Sequence, residues 1–225
     1  MSLFRKYTEN WPKVGAVAGM AVGGVSILVT NRKKPIDLRT LAVMNSMTMA
    51  AHQVEEYAEP GYFPGQVNAG MFKSDQPLNY PFNAKSAALA NLSFTALYAA
   101  PIIFPKQKWL GLAGSIFGIG QVFAHWVGMP ILVRTKYAPG AWSALFLQAP
   151  IGTSYIRSAK AEGPITHDEW VKAGVLGGVF LIFGVLAPDV LGRDKHSSYP
   201  FTLKQMGSHH VEIPHEQETE RPTES

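Results

Sequence analysis

Leu41-Ala42-Val43-Met44-Asn45-Ser46-Met47-Thr48-Met49-Ala50-Ala51 runs directly into His52-Gln53-Val54-Glu55-Glu56, and this stretch decides the reading of the chain. The apolar run reads as a membrane helix, and the polar residues stand at its end. A helix advances about 100° per residue, so with His52 at zero Glu55 falls near −60° and Glu56 near +40°. One imidazole and two carboxylates therefore share a face. Asn45, Thr48, His52, Glu55 and Glu59 extend that face as a stripe, with Glu56 beside it. Ionisable groups at bilayer depth are costly and mark sites for metal, protons or substrate. A stripe of this kind must face a bundle interior or a water-filled cavity.

Working outward, the chain of 225 residues is 47% hydrophobic and only 16% charged. The charges cluster in short loops and a polar tail. That pattern describes an all-α, polytopic transmembrane helix bundle. About six spans are expected, near 14–31, 38–57, 85–104, 109–133, 138–156 and 170–188, several of them about 18–20 residues long. The first is read as a retained helix, because it ends at Arg32-Lys33-Lys34. A long aromatic loop, 58–83, follows the second span. Residues 1–188 read as one bundle, and 189–225 as a polar, disordered tail. Small residues repeat every four positions (Gly15, Gly19 and Gly23; Gly114 and Gly118; Gly174 and Gly178), a spacing that lets helix backbones approach.

There is no cysteine, so thiolate metal sites and disulfides are excluded. The net charge of +4 sits in loops and suits anionic lipid headgroups; no basic, aromatic-interleaved tract points to nucleic acid. P-loop, HExxH and Gly-x-Ser-x-Gly patterns are absent. Lys and Arg counts do not decide the orientation.

Depth brings in further residues. His52 lies about 14 residues into its span and His125 about 16 into a parallel one, which puts both at similar depth. Gln121 lies one turn before His125 on the same face. Asn91 and Tyr98 lie on the third span, and Gln148 near the middle of the fifth. A polar cluster follows if these helices are neighbours. Imidazole nitrogen with carboxylate oxygen suits zinc, iron or manganese. His52, Glu55 and His125 would be the ligands, with Glu56 as general base or a further ligand. Without metal, the same groups could form a proton relay.

The chain resembles the HXXEE-domain integral membrane proteins. The resemblance rests on His52-Gln53-Val54-Glu55-Glu56-Tyr57, on Pro60-Gly61-Tyr62-Phe63-Pro64 and Asn68, on His125, and on Tyr137-Ala138-Pro139-Gly140. It covers roughly 38–185. It implies a membrane-embedded fold with His52, Glu55 and Glu56 as first candidates and Asn68 and His125 as second. It implies no substrate.

Three readings remain open. One is a membrane-embedded, metal-dependent hydrolase or oxidoreductase acting on a lipid-like or other apolar substrate. The second is a non-catalytic membrane scaffold or assembly protein. The third is a proton-coupled transporter. Membrane lipid is the expected partner in each.

Overall fold

The structure is a computed structural model and describes residues 3, 5–8, 10–12 and 36–212. The expected span 14–31 lies outside the described residues. Among those residues every regular element is helical. Helix α1 is Leu38–Tyr57. A short helix α2, Phe63–Gly65, runs on into a π turn, Gln66–Met71. Helix α3 is Ala84–Ile103, α4 is Lys108–Val133, α5 covers 141–161, and α6 is His167–Leu191.

Local sequence sets the helix starts. The side chain of Asp37 accepts from the Thr40 amide and caps α1. Asn83 and Ser86 close a capping box at α3, and Thr166 and Glu169 close another at α6. Each box satisfies backbone N–H groups that a helix start otherwise leaves unpaired.

Cross-bonds give the directions. Arg39, at the start of α1, donates to the Ile102 carbonyl at the end of α3, so the two helices are antiparallel. Lys108 reaches the Gly163 carbonyl, which joins the starts of α4 and α6. Asn83 donates to the Gly192 carbonyl, tying the end of α6 to the start of α3. Helices α1, α4 and α6 therefore run one way and α3 the other.

Two apolar clusters hold the assembly. The larger packs Leu41, Met49, Phe94, Leu112, Tyr155 and Phe180 between the helices. The smaller lies at the Tyr57 end and takes in Trp11, Phe82, Phe201 and Met206. The expected disordered tail thus begins with a packed segment: Gln205 donates to the Tyr57 carbonyl, and Phe201 and Met206 are buried apolar anchors.

Three helices, α3, α4 and α6, are long and apolar enough to cross a bilayer. The outer faces of α4 and α6 show large apolar side chains, with Ile131 71% and Phe183 69% exposed. Surface of that kind suits lipid, and it supports a membrane protein. Helices α1 and α5, expected as spans two and five, form but are not among the three.

In lipid, helices gain little by hiding apolar groups and associate instead through close packing and interhelical hydrogen bonds. Gly111 shows this at the α4–α5 contact: a Cβ there would lie 2.1 Å from Cζ of the buried Tyr155 ring. Of the expected glycine rows, Gly114 and Gly118 face Tyr98 and Gln148, whereas Gly174 and Gly178 face open space. Gly111→Ala should cost about 1–3 kcal/mol by overpacking. The check is thermal unfolding in detergent followed by circular dichroism; an unchanged midpoint would remove Tyr155 from the contact.

Candidate metal centre

His52 and Glu56 lie one turn apart on α1, so their side chains meet on one face. His125 comes from α4, where the backbone widens into a π turn, Ala124–Gly128. Such a turn inserts an extra residue and re-aims the side chains it carries, and it is frequent at functional sites. The Glu56 carboxylate oxygen Oε1 lies 3.5 Å from His52 Nε2 and 3.3 Å from His125 Nε2. Two donors about 2.1 Å from a tetrahedral centre stand about 3.4 Å apart, so the spacing is that of metal ligands. One ligand atom from each of the three residues lies within 4.8 Å of the others, all three residues are buried, and the group could hold a metal ion.

Gly140 makes the approach of the two imidazoles possible. Its φ is 101°, a left-handed conformation that costs other residues about 1–2 kcal/mol. A Cβ there would lie 2.6 Å from His52 Cε1 and 2.7 Å from His125 Cε1. The rings meet edge to face against this bare backbone, with centroids 4.8 Å apart.

Glu55 turns away from the cluster. Its carboxylate accepts from the backbone amides of Trp142 at 3.1 Å and Ser143 at 2.8 Å, from the Ser143 hydroxyl, and from the Tyr137 phenol. It thereby caps the start of α5 from another helix, where a negative charge also meets the positive end of the helix dipole. Burial, then the bond to Glu55, holds the Tyr137 phenol well above its ordinary pKa, so it serves as a donor.

The same cap favours one tautomer of His52. Ser143 Oγ has one proton, and the close Glu55 oxygen takes it. With that proton directed at Glu55, His52 Nδ1, 3.0 Å from Ser143 Oγ, is placed to donate to the hydroxyl. In the neutral ring, Nε2 is left with a lone pair, and it has no hydrogen-bond partner. The Glu56 carboxylate stands 3.5 Å from that nitrogen. A cation there satisfies both groups, whether a proton that makes the ring an imidazolium or a metal ion. Orienting a ligand histidine through its other nitrogen is the usual outer support of a metal site.

The sequence candidates thus separate. His52, Glu56 and His125 come together, and Glu55 stands behind them through Ser143. Asn68 is fully buried and braces the loop, donating to the Pro77 and Phe82 carbonyls and accepting from the Phe82 amide. Tyr98 donates to the Gly114 carbonyl and joins α3 to α4. The Gln148 amide donates to Met49 Sδ at 3.3 Å, and its Oε1 has no partner. Asn91 and Gln121 line a cavity of about 370 Å³ whose wall includes Glu56 and His125. Sequence reasoning did not single out Ser143. The only signal near it was the Pro139-Gly140 turn ahead of a helix start.

A family described as "protein of unknown function with HXXEE motif" matches this chain over residues 43–155, about half its length. The chain belongs to the HXXEE family. Comparison with curated proteins and with solved structures gave no match. The matched region contains both ends of the site, from the HXXEE stretch itself to the Glu55-capped start of α5. In this HXXEE protein the histidine and the second glutamate enter the cluster, and the first glutamate locks a neighbouring helix.

Ser143→Ala leaves Glu55 its two amide donors and Tyr137 but takes away the partner of His52 Nδ1. The Nδ1–H tautomer should lose its dominance in ¹⁵N spectra of labelled histidine, and affinity for added Zn²⁺ should fall about 10–100-fold. Ser143→Thr, which keeps the hydroxyl, should restore both; a tautomer unmoved in Ser143→Ala would remove the relay. Gly140→Ala should cost the αL strain of about 1–2 kcal/mol and more for the ring clash, read as a lower unfolding midpoint.

Proposed function

We propose that this HXXEE protein is a multi-pass membrane enzyme with a divalent metal held by His52, Glu56 and His125. Its substrate is lipid-like or otherwise apolar. The observation that carries the reading is the buried convergence of His52 Nε2 and His125 Nε2 on the Glu56 carboxylate. Two histidines and one carboxylate form a donor set used for catalytic zinc and for non-haem iron, and manganese accepts the same atoms. The tetrahedral spacing favours zinc and hydrolysis over iron or manganese and oxidation.

A metal held there would polarise a carbonyl or activate a bound water. The chain's own groups supply the rest. Ser143 and Glu55 favour one tautomer of the His52 ring. The Phe63 ring stands 5.5 Å from that of His125 and shields the cluster from the loop side. The cavity at the cluster is lined largely by apolar side chains, which suits an apolar substrate and keeps water scarce.

The burial of their polar faces supports a membrane assignment for α1 and α5 as well. Asn45, Thr48, His52 and Glu56 are buried on α1, and Ser143 and Gln148 on α5. Both helices can therefore cross beside α3, α4 and α6 while their polar residues stay out of lipid.

Detergent-purified protein should hold close to one zinc, iron or manganese per chain by elemental analysis. His52→Ala, His125→Ala and Glu56→Gln should each lose most of it. Glu55→Gln should hold metal less tightly than wild type but lose less than the three ligand variants, and show a lower unfolding midpoint, because it weakens a helix cap. Folded wild-type protein without metal, taking up none when zinc is added, would end the proposal.

A further inference from the structure

The cavity beside the cluster is bounded by two helices that part company. Near their starts, α4 and α6 are tied together by Lys108 and the Gly163 carbonyl. Halfway along, the rings of Phe117 and Phe180 still touch, with centroids 5.4 Å apart, and Phe94 from α3 joins them at 4.8 Å from Phe180. Beyond this triad both helices widen into π turns, Ala124–Gly128 on α4 and Phe180–Leu186 on α6. The cavity opens between those two segments. Phe94 and Phe117 form its floor, and Ala90 and Val185 its sides.

The rim of the opening lies on the outer surface. Leu181, Leu186 and Val190 line the cavity, yet are 44%, 49% and 54% exposed, and Ala124 opposite them is exposed too. Both helices are long and apolar enough to cross a bilayer. This apolar part of the rim therefore faces sideways, toward acyl chains.

Polar groups line the wall at two places: Asp189 on α6 and Arg193 just after it, near Val190, and Glu56 and His125 on α1 and α4. Glu56 and His125 are joined by Gln121, one helical turn before His125. The Gln121 amide has no hydrogen-bond partner among the described residues. A partnerless amide in an apolar wall is suited to a ligand oxygen.

We propose that a single long alkyl or acyl chain enters this cavity from the bilayer between the second halves of α4 and α6. Its end rests on Phe94 and Phe117, and its neutral carbonyl or hydroxyl oxygen accepts from Gln121 beside Glu56 and His125. The proposal rests on the enzymatic reading of the site and narrows its substrate to a bilayer amphiphile with an oxygen function next to the chain.

The test uses the full chain in phosphatidylcholine nanodiscs with a palmitic acid analogue bearing a diazirine at the chain end. On irradiation, adducts should form on the peptides holding Phe94 and Phe117 as well as on outward-facing Phe183 and Ile131. Ala90→Trp, which fills the cavity from α3, should remove the floor adducts and leave the outer ones. Val185→Phe is a milder filling variant and serves if Ala90→Trp does not fold. Unlabelled methyl palmitate should compete for the floor, and in Gln121→Leu about tenfold more should be needed, the loss of one hydrogen bond of about 1.4 kcal/mol. Competition by hexadecane, which has no oxygen, should be unchanged.

Adducts confined to outer positions, or floor adducts indifferent to both filling variants, would overturn the route. Equal sensitivity of the two competitors to Gln121→Leu would overturn the orientation. Metal content measured on the same preparations separates the two proposals. Floor adducts in protein that holds and takes up no metal would retire the metal reading alone, whereas one metal per chain without floor adducts would retire only the lateral route.

Discussion

The site depends on one carboxylate that does not belong to the cluster itself. Glu55 takes hydrogen bonds from two amides and a hydroxyl at the start of α5 and from the Tyr137 phenol just before it. Those bonds lock α5 against the end of α1. The lock brings Gly140 to the point where the His52 and His125 rings can pass, and it places Ser143 under His52 Nδ1. A charge–dipole contact between helices thereby sets the positions of groups beyond its own reach.

The paired glutamates of the motif divide the labour that a buried polar site requires. Neighbouring carboxylates differ by about 100° around a helix, so they cannot both face one point. Glu56 faces the histidines, and Glu55 faces the next helix. A ligand set alone would leave His52 free to choose its tautomer. Ser143 favours the Nδ1–H tautomer, which turns Nε2 toward the Glu56 carboxylate.

Three further features serve the same region. The π turn on α4 aims His125 inward while Ala124 beside it stays at the surface. Asn68 holds the loop over the cluster with three hydrogen bonds to backbone groups. The segment around Met206 packs on the same loop, its backbone against Gly65, where a Cβ would lie 2.4 Å from the Met206 carbonyl oxygen. Site, cavity and loop therefore form a unit at the Tyr57 end of the molecule.

The sequence by itself determined the helical class, the apolar character of α3, α4 and α6, and the shared helix face of His52, Glu55 and Glu56, because these follow from composition and from a fixed turn per residue. It chose Glu55 as the ligand, and the structure puts Glu56 there. The sequence also brought His125 into view, since depth along a helix scales with residue number. Tertiary structure alone decided that Glu55 caps α5, that Ser143 completes the relay, and that α4 and α6 open into a cavity. Those outcomes depend on which helices are neighbours and on π turns that shift a face by a residue. Residues 43 and 155 lie far apart along the chain, and nothing in local periodicity says which surface meets which. Close packing around a bare glycine backbone and a shared carboxylate made that choice.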